Sequence, residues 1–126
     1  MQADMSRCAA FSDALLTHAA GKVVLEIGTG CGYQCAILAH LCRRVYTIER
    51  HKPLLKDAEK RLEDQRLRNV TAIAADGMKG WPRMNGIDQA PFDKIIVTAC
   101  AREKPPQALL DQLKDDGLMV IPVAND

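Results

Sequence analysis

The chain has 126 residues, 48% of them hydrophobic, with 17 basic against 16 acidic side chains and a net charge of +1. That is one domain, residues 1–126, with ample apolar content for a core, and its near-neutral charge, with no basic run longer than Arg43-Arg44, argues against nucleic acid or an acidic membrane face as a partner. No apolar run approaches the roughly 18 residues of a membrane span, and the opening MQADMSRCAAFSD lacks the basic-then-apolar order of a secretory signal, so a cytoplasmic protein is expected.

In chain order, an amphipathic stretch over residues 6–20 comes first and predicts an N-terminal helix ahead of an α/β core over 21–126. KVVLEI (22–27), RVYTIE (44–49), VTAIAA (70–75), DKIIVTA (93–99) and LMVIPV (118–123) are short, rich in Val and Ile and mostly apolar on both faces, the pattern of parallel strands between helices. Crossover helices are predicted at 33–42, 53–66 and 105–114, the second with Leu54, Leu55, Ala58 and Leu62 on one face and Pro53 in its first turn. The Gly/Pro-rich GMKGWPRMNGIDQAP (77–91) has room only for a short helix, with Trp81 packed beneath it. Cys8, Cys31, Cys35, Cys42 and Cys100 are odd in number and form no C-x-x-C pair, so reduced thiols and no metal are expected, Cys35 and Cys42 serving as small packing residues.

Ligands of open α/β sheets bind beyond the carboxyl ends of the strands. At the first such end Gly28, Gly30 and Gly32 form G-x-G-x-G, a loop whose backbone can approach a ligand closely. A dinucleotide fingerprint would read G-x-G-x-x-G, but position 33 is Tyr, and Glu26, two residues before the first glycine, would repel a pyrophosphate. The charge suits S-adenosyl-L-methionine, which has no phosphate and carries a sulfonium and an ammonium; Glu26 capping the loop by accepting backbone N–H bonds is the alternative. Glu49 closes the second strand 21 residues after Gly28, where an acid can accept both hydroxyl hydrogens of an adenosine ribose, or simply be solvated. Asp76-Gly77 ends the third, where an acid can accept from the adenine amino group or merely form a turn. His18, His40 and His51 read as surface or helix residues, with His51 also placed to line an adenine pocket, and Cys100 reads as a buried thiol.

VLEIGTGCGYQCAILA, VYTIER, RNVTAIAADGMKGWP, APFDKIIVTACA and PPQALLDQLKDDGLMVIPV resemble, in order, successive motifs of the protein-L-isoaspartate O-methyltransferases over roughly residues 21–123. The resemblance implies a Rossmann-like class I methyltransferase fold that takes S-adenosyl-L-methionine, yields S-adenosyl-L-homocysteine, and methylates the free carboxylate of L-isoaspartyl residues in damaged proteins. Carried over residue by residue, it implies Glu26, Ile27, Gly28, Thr29, Gly30 and Gly32 in the cofactor loop, Glu49 and Arg50 at the ribose and adenine, and Asp76 and Gly77 at the base. A carboxylate with a pKa of about 4 is ionised at neutral pH, so attack on the sulfonium methyl needs alignment rather than a general base. In the family a Thr-x-Ser-x-Pro segment puts a Ser at the transfer site; ADMSRCA stands here, with Ser6 as the catalytic counterpart or a helix N-cap, and Cys8 where Pro is expected. The family's PGG before the fifth strand is DDG, and its two last strands have no counterpart before Asp126, so a truncated or divergent member is expected, with an exposed fifth-strand edge open to self-association. A cofactor-binding core with little transfer, or a methyltransferase of another carboxylate or small substrate, are the alternatives to repair; a nicotinamide dehydrogenase fits the loop poorly.

Overall fold

The computed structural model describes residues 19–98 and 105–121. Five strands, β1 (Val23–Ile27), β2 (Arg44–Glu49), β3 (Val70–Ala74), β4 (Phe92–Val97) and β5 (Leu113–Val120), form one parallel sheet in the order β3-β2-β1-β4-β5. The chain winds outward from β1 through β2 to β3, then returns to lay β4 on the other side of β1. Strand order therefore reverses between β1 and β4, and the carboxyl ends at that point are where open α/β sheets bind ligands.

Helix α1 (Tyr33–Leu41) follows β1 and helix α2 (Lys52–Asp64) follows β2. On one face of the sheet Val24, Val45 and Ile96 pack with Cys35, Ala36, Leu38 and Ala39 of α1, Leu62 of α2 and Cys42. Cys35 and Cys42 are thus packing residues, as expected, and burial pushes both thiols up, that of Cys42 to about 11. On the other face Leu25, Ile27, Tyr46, Ile48, Phe92, Ile95, Val97 and Leu109 meet Trp81, whose ring stands edge-on to Tyr46 at 5.0 Å. Leu55, Ala58 and Leu62 form the buried stripe of α2, but Leu54, expected on it, is exposed. The residues after Ala75 form only a 3₁₀ turn, Gly77–Lys79.

Two predicted boundaries are corrected. The helix expected over 105–114 is only α3 (Gln107–Leu110), and the strand expected over 118–123 already begins at Leu113. Phe92 pairs with Leu113 and Lys94 with Leu118, so β5 carries extra residues in a bulge. Lys-Asp-Asp-Gly, a turn signal on its face, is absorbed there because a Cβ on Gly117 would lie 2.9 Å from the Asp93 carbonyl oxygen, a closeness only glycine permits. The expected N-terminal helix and Ser6, Cys8, His18 and Cys100 lie outside the described residues.

Candidate functional site

The loop from Gly28 to Gly32 joins β1 to α1 at the reversal point. Backbone amides and the Thr98 hydroxyl hold its start. Gly28 and Thr29 N–H donate to the Ile48 carbonyl (2.8 and 3.2 Å), while Thr98, just past β4, donates its N–H (3.0 Å) and its hydroxyl (2.9 Å) to the Ile27 carbonyl. Gly28, Gly30 and Gly32 all have positive φ, at 99°, 56° and 86°. Two of them do different work. A Cβ on Gly28 would stand 2.1 Å from Thr98 Oγ1, so this glycine lets the loop close on β4. Nothing lies within 4 Å of a Cβ on Gly30, so its bare face is turned to open space, where a ligand can come against the backbone.

Beneath the loop lie two buried carboxylates, and it is Glu49 that takes the backbone capping bonds raised from sequence as the alternative for Glu26. Glu49, expected to be free for ribose or solvent, accepts from Gly30 N–H through Oε1 (2.8 Å) and from His51 N–H through Oε2 (2.9 Å) and is only 5% exposed. It, and not Glu26, caps the loop. Each oxygen of a carboxylate has a second lone pair, so this clamp leaves Glu49 able to accept from a ligand. Glu26 is fully buried; its Oε1 accepts from the Thr47 hydroxyl at 2.6 Å and its Oε2 has no partner. Burial pushes its carboxyl up to about 7, against the favourable Thr47 hydroxyl and Cys35 thiol and with the Glu49 charge adding to the rise.

The remaining expected residues sit around this centre. Ile27 is buried, and its side chain fills the space a Cβ on Gly77 would take, 2.3 Å from Cγ2. Asp76 is exposed at the end of β3 and caps the 3₁₀ turn by accepting from Met78 N–H (3.1 Å), and Arg50 is exposed beyond β2. His51 is exposed with its N–H on Glu49. The structure thus brings Glu26, Ile27, Gly28, Thr29, Gly30, Gly32, Glu49 and Gly77 to one end of the sheet, Asp76 and Arg50 at its rim.

Thr47 and Thr98 were missed from sequence. Thr47 is the register partner of Glu26 across β1 and β2, and a polar residue inside an otherwise apolar strand was the available signal. An orphaned carboxylate oxygen under an open glycine fits a ligand that brings positive charge and hydroxyl or amino donors; it does not fit a pyrophosphate, which two buried acids would repel. A groove of about 690 Å³ lined by Asp88, Ala90, Pro91 and residues 111–116 lies at the opposite, amino ends of β4 and β5, away from the glycine loop.

Residues 3–126 match the family model described as Protein-L-isoaspartate(D-aspartate) O-methyltransferase. The chain is 63% identical over 101 residues to the protein-L-isoaspartate O-methyltransferase of Parvibaculum lavamentivorans, covering 80% of this chain and 43% of that one. It is 61% identical over 102 residues to the protein of that name in Paramagnetospirillum magneticum, covering 81% and 45%. A solved structure of a protein-L-isoaspartate O-methyltransferase superposes with a TM-score of 0.81 at 27% identity, covering 96% of this chain and 37% of that one. The chain spans less than half the length of the curated relatives it matches.

Proposed function

Because the chain belongs to the protein-L-isoaspartate(D-aspartate) O-methyltransferase family, we propose that it binds S-adenosyl-L-methionine at the glycine loop and serves methyl transfer to the free carboxylate of L-isoaspartyl residues in damaged proteins. The observation that carries this reading is the open face of Gly30 above two buried acids, one of them with an unpartnered oxygen. Gly28, Thr29, Gly30 and Gly32 form the cradle, Glu26 faces the cationic end of the cofactor from beneath, and Glu49 accepts from the ribose with the lone pairs its backbone bonds leave. Asp76, Gly77 and Arg50 flank the adenine. Bound there, the cofactor supplies an electrophilic methyl group on a sulfonium. The substrate carboxylate is already ionised at neutral pH, so the protein's task is to align it and keep water away, and Ser6 belongs to this reading as the residue beside the acceptor. The edge position of β5, with Leu118 exposed, supports self-association of this chain.

The test is transfer of labelled methyl to an isoaspartyl peptide, with the matched aspartyl peptide beside it. A base-labile ester on the first and not on the second is expected. Equal labelling of both contradicts the substrate assignment, and no ester from a chain that binds cofactor contradicts transfer itself.

A further inference from the structure

We propose that Thr47 and Thr29 are positioning residues, a hydroxyl relay that holds Glu26 under the loop and drains its proton, so that binding of the cationic cofactor releases one proton from the protein. This rests on the cofactor reading above and deepens it. Thr29 Oγ1 lies 2.6 Å from Thr47 Oγ1, and Thr47 Oγ1 lies 2.6 Å from Glu26 Oε1. Each hydroxyl has one proton, so the chain of three groups has only two self-consistent directions. With Glu26 protonated on Oε1, Glu26 donates to Thr47 and Thr47 to Thr29, whose own proton is left for a further acceptor. When the proton leaves, each hydroxyl passes one proton on and receives one, and the direction reverses: Thr29 donates to Thr47 and Thr47 to a Glu26 carboxylate. One O–H bond of Glu26 is broken and one proton reaches solvent, with both threonines unchanged in composition.

The surroundings make this exchange depend on the ligand. Among the described residues, the titratable groups facing Glu26 are the Cys35 thiol on α1, held neutral by burial, and Glu49 on β2; from β4 its register partner is the apolar Ile96. No cation among these offsets an ionised Glu26, whose Oε2 is unpartnered. A ligand bringing an ammonium or sulfonium to the loop supplies that missing charge and so favours the ionised form.

The test is isothermal titration of the whole chain with S-adenosyl-L-homocysteine, whose ammonium is the probe, at pH 6.0 and 7.5 in buffers of different ionisation enthalpy. From a carboxyl at about 7, release of most of a proton is expected at pH 6.0 and of a smaller fraction at pH 7.5, with roughly several-fold tighter binding at the higher pH. Glu26→Gln makes proton count and affinity flat across this range. Thr47→Val, which keeps shape but removes the donor to Glu26, raises the proton count at pH 7.5, and Thr47→Ser restores it; a merely structural role for Thr47 would move stability without moving the proton count. Saturable binding by the wild-type chain with no proton released at either pH overturns the proposal while leaving the cofactor reading intact, as does a Thr47→Val chain with the wild-type count. Absence of saturable binding overturns the cofactor reading and the proposal with it. The wild-type measurement stands even where a variant does not fold.

Discussion

A fully buried carboxyl with one oxygen unpartnered costs the free protein stability, and Glu26 gives that cost a pH signature. Its pKa is raised from 4.5 to about 7 by burial, so between these values the folded chain binds more protons than the unfolded one. Stability from this group therefore falls as pH rises through that window and is level above it. Glu26→Gln is expected to be more stable than wild type by up to about 3 kcal/mol at pH 8, with the difference falling to about a quarter of that at pH 5, as read by urea unfolding. An equal gain at both pH values would mean that charge burial is not the cause. The loop glycines separate in the same way. Gly28→Ala and Gly30→Ala each force a side chain to positive φ, at about 1–2 kcal/mol, but only Gly28→Ala also drives a methyl into Thr98. Gly28→Ala is expected to lower the unfolding midpoint markedly, and Gly30→Ala to keep most stability while losing at least tenfold in affinity for S-adenosyl-L-homocysteine. Comparable stability losses in both would contradict the open space beside Gly30, and unchanged affinity in Gly30→Ala would show that its face has no ligand to meet.

Among the elements, α2 owes its place to a narrow stripe. Leu55 is buried while its neighbour Leu54 is 44% exposed, so Leu55→Ala should cost about 2–5 kcal/mol and Leu54→Ala well under about 1 in chemical denaturation. Near-equal costs would contradict the helix's orientation. Why Leu54 reads as part of the stripe from sequence is simple: adjacent apolar residues share a helical window, and only packing decides which of them turns inward. The same logic governs the rest. The Val/Ile runs of β1 to β4 are legible because strands buried on both faces tolerate few polar residues, and the glycine spacing marks the loop. What stayed hidden depends on register. That Glu49 and not Glu26 caps the loop follows from β1 and β2 pairing so that Glu26 meets Thr47, which brings Glu49 one turn of the pleat further, under Gly30. Likewise α3 stops short because the Gln112 carbonyl is already accepting from Phe92 N–H (2.7 Å) to start β5. A turn-like Asp-Asp-Gly cannot announce that a neighbouring strand will draw it into a bulge.

At the scale of the whole molecule, the sheet order places the loop of β1 beside the end of β4, and Thr98 ties the two together across the reversal point. The specific features of the candidate site gather at this one end of the sheet: the bare Gly30, Glu49 capping it, and the buried Glu26 with its orphaned oxygen. Together these features suit an adenosyl ligand that carries an ammonium, and they disfavour a pyrophosphate. Titration of the chain at pH 7.5 with S-adenosyl-L-homocysteine and, in parallel, with NAD separates the two ligand classes. Saturable binding of the first and none of the second is expected; binding of NAD in preference, or of neither, would show that the site is not built for an adenosyl ammonium ligand.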